Sequence, residues 1–466
     1  MKRGESVFEN MFGAGGHTFR GGVHPDDCKS YSRDAAPVIY ESKGEMVYPL
    51  SQHIGKPAKA IVKIGDYVLA GQKIAEADGY VSAPVHSSCS GTVKAIEKRK
   101  TVMGNLGDCV IVENDGKFHE IDGFGERIDY KKLSREEIIN KIREAGVVGM
   151  GGASFPTPVK LEPKNPDGIA YIIVNGAECE PYITCDDRLM RNHAKEIITG
   201  LEMLLYIFPK ARGVILIEDN KPEAIEAMRR ALKVKYENEN DENNKKIKIL
   251  PVPKKYPQGG ERAIVKVVSG KDTKLSQLPA EAGCIVDNAA TVYAMYQAVC
   301  ESTPLIRRIV TVTGTAVKNP VNLIVRSGTS CRELLDAAGG IKQGVNIKKA
   351  ICGGPMMGIA MNGVDAPIQK GNGALVFLSQ DEALQSVENL TACIRCGRCN
   401  MACPMGLTPQ MMGVAAERKD YERYEKKLYG LECIQCGSCT WVCPAKRPLM
   451  QLFKDAKAAI LNARRA

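Results

Sequence analysis

Eight cysteines near the C-terminal end constrain this chain more than any other feature. Cys393, Cys396, Cys399 and Cys403 precede Pro404, and Cys433, Cys436, Cys439 and Cys443 precede Pro444. Each run reads C-x2-C-x2-C-x3-C-P. Runs of this form hold cubane iron–sulfur clusters, and the fourth Cys of each ligates the cluster of the other. Cluster I then draws on Cys393, Cys396, Cys399 and Cys443, and cluster II on Cys433, Cys436, Cys439 and Cys403. The three close thiolates wrap one corner of a cubane. Proline, with a fixed φ and no N–H, turns the chain away. One copy alone would also suit zinc; two copies, each closed by proline, favour a pair of 4Fe–4S clusters and a chain that moves electrons.

This pattern is the signature of bacterial two-cluster ferredoxins. The chain is much longer than such a domain: 466 residues imply three or four domains. The N-terminus, Met1-Lys-Arg-Gly-Glu, lacks the apolar segment of a secretion signal. No run of apolar residues is long enough to span a membrane. With oxygen-sensitive clusters, this places the chain in a reducing cytoplasm. The remaining cysteines (28, 89, 109, 179, 185, 284, 300, 331 and 352) lack C-x2-C spacing and read as reduced thiols of the interior. The net charge of +10 serves either ordinary solubility or docking to acidic redox partners or an anionic membrane face. Basic residues are dispersed and no aromatic-basic platform accompanies them, so no nucleic acid is expected as a partner.

The pattern along the chain predicts a multidomain α/β protein. Residues 1–44 form a Gly-rich arm, with Phe19-Arg-Gly-Gly-Val-His24-Pro25, that needs another domain to order it. Residues 45–125 read as a lipoyl-like β domain: Lys59–Lys63, Gly65–Val68, Gly71–Ala75, Tyr80–Pro84 and Ser90–Ile96 are short strands between Gly turns. Where lipoyl domains carry a modified Lys, the comparable turn is Ser87-Ser88-Cys89-Ser90, so no swinging arm is expected. Residues 126–305 alternate helix and strand, which predicts a mainly parallel, Rossmann-like sheet. Helices are expected over Ser134–Ala145, opened by the capping box Ser134-x-x-Glu137, over Asn192–Tyr206 and over Pro222–Val234. Strands are expected over Ile169–Asn175, Gly213–Glu218 and Ile247–Val252, and Glu237–Lys246 is a polar loop. Residues 306–378 predict a β-grasp (soluble-ligand-binding) domain with a helix over Cys331–Ala337. Residues 385–448 form a helix-rich two-cluster ferredoxin domain with helical residues between its cysteine runs. Residues 449–466 form a basic amphipathic helix, with Leu449, Leu452, Phe453, Ala456 and Ile460 packed on protein.

A second chemical site lies in the α/β region, in four stretches. They are Gly149-Met-Gly151-Gly152-Ala-Ser-Phe155-Pro156, Asn175-Gly-Ala-Glu178-Cys-Glu180-Pro181, Tyr256-Pro-Gln-Gly259-Gly-Glu261 and Val286-Asp287-Asn288-Ala-Ala-Thr291. A Gly-rich loop by itself is equally a tight turn. The second stretch follows an apolar strand, where ligands gather in open α/β sheets. The third opens a helix, whose free N–H groups suit phosphate. Asp287 alone is also explained as a helix cap.

In order and spacing, the four stretches resemble the flavin site of the NADH-binding flavoprotein subunit of respiratory complex I. That resemblance implies FMN surrounded by Gly149, Gly151, Lys160, Asn175, Glu178, Tyr256, Gly259, Glu261, Asp287, Asn288 and Thr291. It places Phe155 and Glu180 at the nicotinamide of NAD(H). The chain departs from the pattern at Ala177 and Gly260, which replace acidic residues, and at Pro163 and Leu278, where aromatic residues would clamp NADH. The flavin contacts carry over better than the dinucleotide contacts.

Taken whole, the order of segments resembles the C subunits of Rnf complexes, membrane-bound ferredoxin:NAD oxidoreductases. It implies FMN, two 4Fe–4S clusters and NAD(H). It also implies membrane-embedded and ferredoxin-like partner subunits, indirect exchange with ferredoxin, Na+ or H+ translocation by those partners, and a peripheral place on the cytoplasmic side of the cell membrane. NAD exchanges two electrons as hydride while clusters carry one, and a flavin converts between them. Two other readings fit the same segments: a corrinoid reductase of the propanediol-utilisation type, and a non-catalytic scaffold that wires clusters together. Arg395, Arg398, Lys446 and Arg447 beside the clusters either tune potentials, guide an acidic partner or simply solvate the surface.

Overall fold

The structure is a computed structural model that describes residues 18–236, 246–274 and 277–464. At its centre is a parallel four-stranded sheet in the order Ile247–Val252, Arg212–Glu218, Tyr171–Gly176, Cys284–Asn288. These strands are almost continuously apolar because both faces are covered. Ile172 and Val174 join Ile215, Ile217, Ile249 and Ile285 in one core. Ile173 joins Val214, Leu216, Leu250 and Val286 in the other. Helices Ala194–Ile207, Pro222–Tyr236 and Ala289–Cys300 contribute to the first core, and Glu261–Ser269 to the second. In chain order the strands lie 3-2-1-4, so the winding reverses between Tyr171–Gly176 and Cys284–Asn288. Ligands of open α/β sheets bind at the carboxyl ends of the strands at such a reversal.

Local signals explain much of this domain. The helix Arg135–Glu144 opens with both halves of the capping box, Ser134 and Glu137 bonding each other's backbone N–H. Such a cap stabilises a helix by about 1 kcal/mol. The helix expected over Asn192–Tyr206 forms as Ala194–Ile207, and a further helix, Cys185–Asn192, precedes it. They break at His193, whose ring stacks 4.6 Å from that of Tyr293. The strand expected to start at Ile169 begins at Tyr171, because Pro166–Gly168 is a 3-10 turn. The polar run from Glu237 lies outside the described residues except for Lys246.

The β domain has two sheets, ordered Met46–Pro49, Leu106–Asn114, Gly91–Lys100, Tyr67–Val68 and Lys59–Ala60, Lys73–Glu76, Val85–His86. Residues 80–84, expected as a strand, form none; pairing starts at Val85. Ser87, Ser88, Cys89 and Ser90 are fully buried. Ser88 donates to Ser327 O and accepts Arg326 through its own carbonyl, so this turn is an interdomain seam. A modified side chain could not swing from it.

The β-grasp region carries a six-stranded mixed sheet, ordered Val38–Ile39, Val321–Arg326, Arg307–Thr313, Ala374–Leu378, Lys349–Cys352, Ile359–Ala360. The arm supplies its edge strand, in parallel with Leu323 and Ile324. The helix Cys331–Ala337 forms where expected. Lys370 from this region is buried, and its amine donates to Pro84 O and Gly146 O, each at 2.7 Å. One side chain thus joins three domains at the root of the Gly149–Phe155 loop. Burial holds the Lys370 amine down to about 7.

The C-terminal region is helical. Between the cysteine runs lie the helix Pro409–Glu417, a π turn at Arg423–Lys427 and a 3-10 turn at Gly430–Glu432. The helix Leu449–Ala463 buries Leu449, Phe453, Ala456 and Ile460 in a core with Met412, Ala415 and Tyr424. Its apolar stripe packs on protein.

Candidate functional site

The two cysteine runs fold as a crossed pair. One cavity is lined by Cys393, Cys396, Cys399 and Cys443. A second is lined by Cys433, Cys436, Cys439 and Cys403. Each lining contains one of the two sets read from the spacing. Each run has the same backbone turn: Arg395 and Gln435 take φ of 57° and 56°, and Gly397 and Gly437 take 74° and 79°. Left-handed residues curl the chain around a central object, and only glycine adopts that region without cost. The sets differ in exposure. Cys393 and Cys396 are exposed, whereas Cys403, Cys436 and Cys439 are buried.

The second site gathers at the sheet's switch point. Asn175 and Asn288 are register partners there, at the carboxyl ends of adjacent strands. The Gly149–Phe155 loop folds over them. Gly149 N–H donates to Phe155 O, and Met150 N–H to Thr291 Oγ1. At Gly151 an added Cβ would lie 2.9 Å from the Asn288 Cβ, so the loop approaches as only glycine permits; Gly152 has nothing within 4 Å. Asn175 Nδ2 donates to Gly259 O, tying the strand end to the N-terminus of the helix Glu261–Ser269.

Charges concentrate at this site. Asp287 is buried, and among the described residues neither of its carboxylate oxygens has a hydrogen-bond partner. Its neighbouring cation is Lys160, 3.5 Å away. Burial pushes the Asp287 carboxyl up, against the pull of Lys160. Burial also works against the charge of Lys160, but Asp287 and Glu261 outweigh it and raise its pKa. Lys160 donates to Val286 O at 2.8 Å and lies 3.4 Å from Glu261.

Three residues expected around the cofactor or the nicotinamide direct their polar atoms elsewhere. Glu178 is buried and accepts from the N–H groups of Asp186 and Asp187, capping the helix Cys185–Asn192. Lys29 of the arm lies 3.6 Å from it, and burial holds the carboxyl up at about 7. Glu180 accepts from the N–H groups of Met356 and Met357 in the β-grasp region, and burial raises its carboxyl to about 7 as well. Tyr256 donates its hydroxyl to the carbonyl of Cys436 at 2.7 Å. For Glu180 and Tyr256 the partner lies in another domain, so local pattern carried no trace of it.

Profiles of known families match four consecutive segments. These are the RnfC barrel sandwich hybrid domain at residues 17–117, the Nuo51 FMN-binding domain at 142–297, the SLBB domain at 309–360 and the 4Fe-4S dicluster domain at 389–447. The chain is 40% identical to the C subunit of the proton-translocating ferredoxin:NAD(+) oxidoreductase complex of Clostridium ljungdahlii, over 95% of this chain and 93% of that protein. It is 36% identical to the C subunit of the Na(+)-translocating ferredoxin:NAD(+) oxidoreductase complex of Acetobacterium woodii, over 96% and 98%. It belongs to the family of Rnf complex C subunits. A third relative, the C subunit of the ion-translocating oxidoreductase complex of Haemophilus influenzae, is 40% identical over 95% of this chain and 66% of its own length.

The residues of this Rnf C-family chain fit the groups that the family profiles name. Two four-thiol cavities suit two 4Fe–4S clusters. An unsatisfied buried carboxylate, a close-approach glycine and a helix N-terminus around one site suit FMN, whose ribityl hydroxyls donate and whose phosphate accepts. Gln258 belongs to the same loop and was not singled out by sequence reasoning. It is fully buried, and neither atom of its amide has a hydrogen-bond partner among the described residues. Its signal was an amide between glycines and proline. Lys29 and Met356–Met357 gave no such signal.

Proposed function

We propose that this chain is the NAD(H)- and FMN-binding, iron–sulfur subunit of a membrane-bound complex that couples electron transfer between ferredoxin and NAD+ to translocation of Na+ or H+. One observation carries the reading: two four-cysteine cavities accompany a switch-point site whose buried Asp287 lacks a hydrogen-bond partner among the described residues. The names of the relatives from Clostridium ljungdahlii and Acetobacterium woodii support it.

When bound, FMN supplies the conversion between hydride and single electrons. The chain's residues bind and orient. Gly149 and Gly151 let backbone approach the cofactor. The N-terminal turn of the helix Glu261–Ser269 receives the phosphate with the helix dipole. Asp287 accepts from hydroxyls, with Asn175, Asn288 and Thr291 fixing the surrounding loops. Lys160 offsets the negative charge of the site. Phe155 supplies an aromatic face for the nicotinamide. Glu180 acts as a positioning residue, because its carboxylate ties the Glu178–Pro181 segment to the Met356–Met357 loop. Glu178 supports the site from beneath as a helix cap.

No described helix is long and apolar enough to cross a membrane. Attachment is therefore assigned to partner subunits, with this chain peripheral on the cytoplasmic side and ferredoxin reached through a ferredoxin-like subunit. Anaerobic titration of the reconstituted chain with NADH tests the reading. Flavin absorbance should bleach first and cluster absorbance should follow. Bound FMN that stays oxidised in excess NADH would end it.

A further inference from the structure

The loop that carries part of the flavin-type site is bonded directly to one cysteine run. Tyr256 is 2% exposed and donates its hydroxyl to Cys436 O at 2.7 Å. Six residues later, Arg262 donates to Glu432 O at 3.2 Å and pairs with the Glu432 carboxylate at 3.1 Å. Val23, Tyr256, Ala402 and Cys436 form one small buried core, with Cys179, Met356 and Ile434 packed against it. The arm joins the same junction, as Gly22 N–H donates to Ala402 O and Val23 bridges Tyr256. Cysteines 436, 403 and 439 are buried here, while Cys393 and Cys396 of the other set are exposed and Ile394 between them is 65% exposed.

We propose that the cluster held by Cys433, Cys436, Cys439 and Cys403 is the one that exchanges electrons with the flavin-type site, and that Tyr256 serves this cluster, setting its potential through the bond to Cys436 O. The proposal rests on the function above. In each transfer the cluster gives up one electron and the flavin gains it. Two transfers and one proton from water make the hydride that NAD+ receives. Hydrogen bonds and solvent exposure set cluster potentials. A carbonyl beside a cluster adds negative potential and disfavours the reduced state. A phenol donating to that carbonyl draws charge away and favours reduction. Burial adds to the effect, since charge is weakly screened in a low dielectric. The exposed cluster, by contrast, faces outward as the end that meets external carriers.

The test is the full chain carrying Tyr256→Phe, reconstituted anaerobically with iron, sulfide and FMN. Cluster midpoints are read by EPR-monitored redox titration, alone and with Cys393→Ala to remove the other cluster's signal. Iron and flavin contents are expected to be unchanged, with the midpoint of the buried cluster shifted to lower potential and that of the exposed cluster unmoved. Fluorotyrosine at position 256, a stronger donor, should shift the same midpoint upward, and it decides the question if the Phe variant does not fold. Two results would overturn the proposal: unchanged cluster midpoints, or loss of flavin with both midpoints intact, which would return Tyr256 to the flavin. Failure of the wild-type chain to bind FMN would instead overturn the function and leave the potential shift standing as a cluster property.

Discussion

Replacing Lys29 by Met should destabilise the protein in a way that depends on pH. The Lys29 amine is buried and donates to the carbonyls of Glu180 and Ile183, and lies 3.6 Å from the Glu178 carboxylate. Removing it takes two donors from buried carbonyls, at about 1 kcal/mol each. It also leaves a buried carboxylate without its nearest cation, which costs about 3–5 kcal/mol when the charge persists. That second part can be escaped by protonation. Burial already raises Glu178 from 4.5 to about 7, and loss of Lys29 raises it further. A carboxyl with a raised folded-state pKa favours folding most below its unfolded pKa and loses that contribution as pH climbs through the folded value. Against a wild-type value of about 7, escape by protonation at pH 8 costs at most about 1.4 kcal/mol, so the penalty of the variant should be about 2 kcal/mol at pH 5.5 and about 3.4 kcal/mol at pH 8. At roughly 2–4 °C per kcal/mol, the melting temperature should fall several degrees more at pH 8 than at pH 5.5. Thermal unfolding by circular dichroism at both pH values measures this, with hydrogen exchange at residues 178–192 locating the loss. Adding Glu178→Gln should recover the pH-dependent part alone. An equal loss at both pH values, or no recovery in the double variant, would refute the assignment of Lys29 as the counter-ion.

Gly151→Ala should weaken FMN binding about 5- to 150-fold, because an overpacked contact costs about 1–3 kcal/mol and the new Cβ meets Asn288; equilibrium dialysis against FMN reads it, with Gly152→Ala, whose Cβ has no neighbour within 4 Å among the described residues, as the comparison. Cys443→Ser should remove the cluster of Cys393, Cys396 and Cys399, and Cys403→Ser the other; each should leave about half the iron by metal analysis, with complementary EPR signals, as cross-ligation requires. Lys370→Met should abolish a rise in stability between about pH 7 and pH 10. Burial lowers the wild-type amine from 10.5 to about 7, so its desolvation opposes folding fully below pH 7 and fades as pH rises to the unfolded value. Denaturant titration across that range gives a flatter profile for the variant.

The sequence alone determined the chemistry that local spacing encodes. Two cysteine runs point to cross-ligated sets because three thiolates spaced three positions apart can wrap only one corner of a cubane. The Tyr171–Gly176 strand, the capping box at Ser134 and the four Gly- and Asn-bearing stretches were legible for the same reason: each depends on neighbours a few residues away. Tertiary structure decided which side chains those stretches aim at the site. Glu178, Glu180 and Tyr256 read as cofactor ligands, yet their polar atoms meet backbone from the helix Cys185–Asn192, the β-grasp region and the cluster run. The fully buried Gln258 and the three-domain bond of Lys370 were equally invisible. Burial and hydrogen bonding between residues hundreds of positions apart exist only once the chain is folded. The exposure that separates one cluster from the other is a property of that packing, since both runs carry the same motif.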